Sequence, residues 1–302
     1  MTAFTSIDLS QLQAPQIVEP LDFETILSAM LTDLQTRMAA AGQPFTALVE
    51  SDTAYKILEV CAYRELLVRQ RANESVKGVM LAFATGADLD QIGANYNVQR
   101  LLITPADPTT IPPTPAVYES DADFRARIPL SLEGYTTAGS EGSYVFAGKS
   151  ADGRVKDIAA VSPAPGQVSV YVLSNQGNGA ASSDLIAAVN AALNAEQVRP
   201  MTDQVTVQSA SIVNWSITAS LTLYPGPDSA VVVAAARAAA QAYADSVHKC
   251  GYDVSLSGVY AALQQPGVQK VTLTSPSADI SISDGQAPYC TAINLTVAGT
   301  NV

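Results

Sequence analysis

Apolar residues recur at Phe23, Ile26, Leu27, Met30, Leu31 and Leu34, a spacing that predicts a helix ending near Gly42 and Pro44. Residues 1–20 hold Pro15 and Pro20 and show no period, so they read as an extended arm. A second stripe runs Ala54, Ile57, Leu58, Cys61, Val68, Ala72, Val76, Met80 and Phe83 and stops at Gly86, with Ser51 or Asp52 able to cap its start. At 3.6 residues per turn that is roughly eight turns, longer than most globular helices. Glu65, Arg69 and Glu74 occupy its other face. One short neighbour cannot bury so long a stripe, so it predicts a bundle helix whose candidate interface residues are Ile57, Leu58, Cys61, Val68, Val76 and Met80. Asp88 or Asp90 then opens a short helix through Leu89 and Ile92.

Five prolines lie between Pro105 and Pro115. Proline lacks an N–H and fixes φ, so this stretch is neither helix interior nor central strand, and it is expected to be a semi-rigid linker. Ser120-Asp121-Ala122-Asp123-Phe124-Arg125-Ala126-Arg127 has the form of a capped helix start, with acids in the first turn and bases a turn later. From about residue 151 the pattern becomes β-rich. Val168, Val170 and Val172 alternate with polar positions, as do Val205 and Val207, and residues 212–224 form a longer strand-like run. Helices are expected at Leu185, Ile186, Val189 and Leu193 and again from Pro227-Asp228-Ser229 to about His248. Strands return around Val268, Val271, Leu273 and at Ile293, Leu295, Val297.

These elements predict an α+β protein: a helical N-terminal region with a long bundle helix, then α/β sandwich-like domains. The expected divisions are 1–104 (arm and bundle helices), 105–117 (proline-rich linker), 118–225 (first α+β domain) and 226–302 (C-terminal α+β domain). A faint echo joins Ser143-Tyr144-Val145-Phe146-Ala147, followed by Gly153 and Val155, to Ser257-Gly258-Val259-Tyr260-Ala261, followed by Gly267 and Val268. It is either a duplicated helix-then-strand unit or coincidence.

Charged residues are only 15% of the 302, and the net charge is −12. The first suggests surface hidden against partners; the second argues against wrapping a phosphate backbone, which needs clustered Lys and Arg. Acids dominate the first fifty residues, from Asp8 through Glu50, against a lone Arg37, and Lys56, Arg64, Arg69, Arg71 and Lys77 follow. There is no basic and apolar leader pattern, and the most apolar stretch, residues 230–240, is interrupted by Arg237. Neither a secretory signal nor a membrane span is expected. Cys61, Cys250 and Cys290 are too scattered for a disulfide framework or a metal site and suit a reducing cytoplasm.

Catalytic patterns are weak. Gly142, Gly148, Lys149 and Ser150 resemble a phosphate loop, but five residues separate the glycines where that loop needs four. Asp88, Asp90 and Gly93 echo a calcium loop whose fifth and twelfth positions, Ile92 and Gln99, cannot complete the oxygen cage. His248 is the only histidine. It is placed near a helix C-terminus, where a partly positive imidazole would be favoured. No enzyme, cofactor or metal chemistry is expected.

Taken in order, the segments Phe23–Leu34, Leu66–Ala84, Gly86-Ala-Asp88-Leu89-Asp90-Gln-Ile92-Gly93, Ser120–Arg127, Ala138-Gly139-Ser-Glu-Gly142-Ser-Tyr144, Arg199-Pro200-Met-Thr202-Asp203 and Gly267-Val268 with Pro276 resemble the baseplate assembly protein J family of contractile-tailed, P2-like phages and R-type tailocins. The resemblance implies a structural wedge subunit made in the bacterial cytoplasm and built into a virion or tailocin baseplate. Two copies would join a tail protein I-like partner through a helical bundle and meet a lysozyme-like wedge protein. Six wedges would close a ring around the central hub and spike. The alternative reading is a carbohydrate- or receptor-binding tail tip module.

Overall fold

The computed structural model describes Leu9 and residues 12–43, 49–136, 138–226 and 228–302. The beginning of the arm, the expected helix stop at Pro44 and the helix opening at Pro227 lie outside the described residues. The chain divides into two compact units between Gln99 and Arg100.

In the first unit, α1 (Phe23–Ala40) starts at Asp22, whose Oδ2 accepts the Thr25 N–H at 2.8 Å. Helix α2 (Thr53–Gly78) starts at Asp52, which accepts the Ala54 N–H at 3.0 Å. Phe23, Ile26, Leu27, Met30 and Leu31 of α1 pack on Tyr55, Leu58, Ala62 and Leu66 of α2. The described arm is irregular, with a turn from Pro15 to Val18, and is fastened to α2 at Glu19. Asn73 accepts the Glu19 N–H and donates to its carbonyl, at 3.1 and 2.8 Å.

Helix α2 is 26 residues long and stops at Gly78, eight residues short of the expected stop at Gly86. A Cβ on Gly78 would lie 2.9 Å from Asp88 Oδ2, so the bare backbone there lets the next helix, α3 (Gly86–Asn95), come close. The apolar period past Gly78 therefore belongs to turns, and Ala84 and Leu89 are buried.

The second unit opens with a small hairpin, β1 (Leu102–Thr104) and β2 (Val117–Tyr118), which pair antiparallel. The proline-rich stretch expected as a linker is the far end of this hairpin. Asp107 and Thr114 exchange backbone hydrogen bonds at 2.9 and 3.0 Å, and the division between units precedes it. Helix α4 (Asp121–Leu130) is capped by Ser120, which accepts the Asp123 N–H at 3.2 Å. Phe124 is fully buried, with the guanidinium carbons of Arg100 and Arg127 at 4.8 and 5.6 Å from its ring centre. Arg127, itself buried, donates from Nε and Nη2 to the two oxygens of Glu119 at 2.9 and 2.7 Å.

After a 3-10 turn at Glu133–Tyr135 come α5 (Glu141–Lys149), β3 (Val155–Ala164), β4 (Gln167–Ser174), α6 (Ser183–Leu193) and β5 (Gln204–Ser209). The sheet order is β3-β4-β5, antiparallel then parallel. Tyr144 of α5 and Leu185, Val189 and Leu193 of α6 share a core with Ile158, Val170 and Val172. Ala210 alone separates β5 from β6 (Ser211–Leu223). Then follow α7 (Ser229–Val247), α8 (Leu256–Leu263), β7 (Val268–Ser275) and β8 (Gln286–Thr300), with sheet order β7-β6-β8.

The run 212–224, expected to close the first α+β domain, is the central strand of the last sheet. Ile217, Ala219, Leu221 and Leu223 alternate into a core with α7 and α8, leaving Ser216, Thr218, Ser220 and Thr222 on the opposite face. The helix-then-strand echo corresponds to α5–β3 and α8–β7. In both sheets that unit supplies the outer strand antiparallel to the centre, while β5 and β8 supply the parallel one.

Replacing Arg127 with Met should destabilise the second unit by about 3–5 kcal/mol, because Glu119 would stay buried without its partner. Urea unfolding followed by circular dichroism measures it, and the double change Glu119→Gln with Arg127→Met should recover much of the loss.

Candidate assembly surface on the long helix

Helix α2 carries two apolar stripes. Tyr55, Leu58, Ala62 and Leu66 form the first, spaced by three and four residues, and it faces α1 with Ala62 fully buried. Ile57, Val60, Cys61, Leu67 and Val68 form the second, and all are exposed, Ile57 at 58%, Val60 at 61% and Val68 at 69%. At 3.6 residues per turn the two stripes lie on roughly opposite sides of the helix. Tyr63 extends the exposed side and Val79 stands exposed just past the helix end.

The six residues expected at the interface therefore separate. Ile57, Cys61 and Val68 lie on the outward stripe. Leu58 lies on the α1 side and belongs to the unit's own core. Val76 and Met80 are half-buried, and Met80 lies beyond the end of α2. Val60, Tyr63 and Leu67 are exposed as well, and the single stripe read from the sequence does not include them. The charges of the helix sit in local pairs: Lys56 Nζ lies 2.9 Å from Glu59, between the stripes, and Arg69, on the α1 side, bridges Glu65 at 2.6 Å and Glu19 at 3.0 Å. Such exposed pairs keep the helix soluble and contribute little stability.

Other candidate chemistry resolves into structure. Gly139 has a φ of +75°, and a Cβ there would meet Pro200 Cγ and Asp203 Oδ2 at 2.8 Å each. Tyr144 donates from its hydroxyl to the same Asp203 oxygen at 2.7 Å. Two of the segments that carry the family resemblance, some sixty residues apart, are thus one folding contact. Gly86, with φ +53°, starts α3, which buries Leu89. Among the described residues no three His, Cys, Asp or Glu side chains are grouped to hold a metal ion, and no helix is long and apolar enough to cross a membrane.

His248 is the C-cap of α7, and its surroundings reverse the charge expected for it. Its Nδ1 lies 2.9 Å from Lys156 Nζ, so a neutral imidazole accepts from the ammonium. Burial first, and then Lys156, hold its pKa below the ordinary value, outweighing the helix terminus. Cys250 is buried, which pushes its thiol pKa up and away from thiolate chemistry. Its N–H donates to Asp157, which also pairs with Lys149 at 2.9 Å.

These features define an α+β protein whose long helix leaves one apolar face exposed. Three descriptions of one family match in chain order: the baseplate J-like N-terminal domain over residues 50–107, the central domain over 136–209 and the C-terminal domain over 215–296. Baseplate protein J of Escherichia phage P2 is 52% identical over 298 residues, covering 98% of this chain and 99% of that one. A chain of the cryo-EM structure of the anti-feeding prophage baseplate aligns at 15% identity with a TM-score of 0.43, over 59% of this chain and 42% of that chain. The chain belongs to the baseplate J-like family, a class of baseplate structural proteins.

Two predictions follow from the geometry. Val68→Asp should leave the stability of the isolated protein within about 0.5 kcal/mol, as an exposed change does, whereas Leu58→Asp should cost several kcal/mol by placing a charge in the α1–α2 core. Thermal melts of both variants test the assignment of the stripes. For His248, a folded pKa below the unfolded one means that the unfolded chain binds the proton first. The stability due to a neutral His248 is complete above its unfolded pKa and is lost as pH falls through that value toward the lower folded one. His248→Gln should therefore flatten the decline of melting temperature below about pH 6.5, the ordinary histidine value.

Proposed function

We propose that this chain is a baseplate wedge subunit that assembles with a second copy and a tail protein I-like partner through the outward stripe of α2. Wedges of this kind meet a lysozyme-like wedge protein and close, six together, into a ring around the central hub and spike of a phage or tailocin tail. The observation that carries the reading is the second apolar stripe, Ile57, Val60, Cys61, Leu67 and Val68, which α1 leaves uncovered. Family membership supplies the setting. Burying those side chains between chains would supply about 1.5–3 kcal/mol for each large one, enough in sum to hold a helical bundle. The low share of charged residues, 15%, agrees with a chain that hides much of its surface in an assembly.

The test is native mass spectrometry of this chain co-expressed with its adjacent tail proteins. A complex with two copies of this chain per tail protein I-like partner, lost in Val68→Asp while the variant stays folded, is the expected result. A monomer that ignores every neighbour would overturn the wedge reading. A complex that survives Val68→Asp unchanged would move the contact off α2.

A further inference from the structure

The two sheets of the second unit have cores of their own. Ile158, Val170 and Val172 pack with α5 and α6, whereas Ile217 and Leu221 pack with α7 and α8. A smaller apolar group, Leu173, Ala210, Cys250 and Ala287, spans the two. Beside it the contacts are polar. Lys156 of β3 reaches the ring of His248 at the end of α7, with Nζ 2.9 Å from Nδ1. The next residue, Asp157, accepts the Cys250 N–H at 3.0 Å.

The ring is closely packed. His248 is buried, and Tyr289 of β8 meets it edge-on with ring centres 5.4 Å apart. A Cβ on Gly179, in the loop after β4, would lie 2.8 Å from Nε2. In so dense a site the imidazole has little room to turn from Lys156. Charges around the contact come from several elements: Lys156 and Asp157 on β3, Lys149 on α5, Asp123 on α4, Asp245 near the end of α7 and Lys249 just past it. Cys250 adds a buried thiol. Both oxygens of Asp157 are engaged, one by Lys149 at 2.9 Å and the other by the Cys250 N–H. Asp245 is exposed and accepts from Gln241 at 2.9 Å. Neither carboxylate stands ready to neutralise a second cation beside Lys156.

We propose that Lys156 and His248 form an acid-released latch between the two sheets, closed while the imidazole accepts from the ammonium and opened when the ring takes up a proton. Protonation moves a proton from water to Nδ1, which then has no lone pair left to accept with. Two cations face each other at hydrogen-bond distance where little water screens them, so attraction becomes repulsion. Burial and Lys156 keep the ring neutral in the closed arrangement, so by linkage its protonation favours an open one in which the ring is wetted. The opening is local because each sheet keeps its own core when the contact between them loosens. The latch lies within the second unit and stands apart from the wedge reading.

Hydrogen exchange of the full chain at about pH 7.5 and about pH 5, corrected for the intrinsic effect of pH on exchange, tests it. Residues 174–180 and 248–251 should exchange several-fold faster at the acid pH, while residues 216–221 in the centre of the last sheet keep their protection. Lys156→Met, which removes the cation, and His248→Gln, whose amide oxygen can accept from Lys156 at any pH, should each abolish the acid response. The chain has one histidine, so NMR follows a single titrating ring, whose midpoint should rise in Lys156→Met. A wild type without the acid response, a response spread evenly into residues 216–221, a response that persists in His248→Gln, or a ring midpoint unmoved by Lys156→Met would each overturn the latch. Should either variant fail to fold, the wild-type contrast between the junction and residues 216–221 decides alone.

Discussion

A helix with apolar stripes on opposite sides can satisfy only one of them with a single neighbouring helix, and α2 is in that position. At 1.5 Å per residue α2 is about 39 Å long and α1 about 27 Å. The shorter helix covers Tyr55, Leu58, Ala62 and Leu66 and leaves the opposite side to water. Among the described residues nothing in the first unit folds back over Ile57, Val60 or Val68. The helix is nonetheless held firmly along its inner side, because the arm is clamped at Glu19 by Asn73 and Arg69. The outward stripe is therefore presented on a braced rod. Side chains already fixed on a helix lose less freedom when a partner covers them, so preorganisation favours association.

The second unit solves a different problem, joining two sheets of the same plan into one body. The strand path continues from β5 into β6 with Ala210 between them, buried with Leu173, Cys250 and Ala287. Polar contacts complete the junction. Asp157 receives the Cys250 N–H while held by Lys149, and Lys156 reaches His248 at the end of α7. A buried polar group stabilises a unique packing only when its partners are in place, so these contacts tie the two sheets to one relative arrangement. The α4 segment adds a similar lock, with Glu119 and Arg127 paired out of water beside Phe124.

Much of this was legible in the residue pattern. The caps at Asp52 and Ser120, the helical stripe of α1, the alternation in β4 and β6 and the α+β class all follow from local spacing. What local spacing lacks is the third dimension. Leu58 and Ile57 are adjacent in sequence, and only the placement of α1 tells which is core and which is surface. Next to the end of α2, Gly78 leaves room for Asp88, ten residues on, where a Cβ would crowd it. The prolines read as a linker because each breaks regular structure, yet Asp107 and Thr114 pair across them. Alternation in residues 212–224 shows that the strand has a buried face, and only the fold shows that β7 and β8 flank it. For His248 the helix end was visible, and Lys156, 92 residues away, was not.

A subunit of the proposed ring would need more than the helix face. A chain with one two-fold patch stops at a pair, and a chain with one bundle helix stops at the bundle. Growth into a closed ring requires two separate contacts on each chain, so that every copy can touch different neighbours at once. The outward stripe of α2 would supply one of them, on the first compact unit.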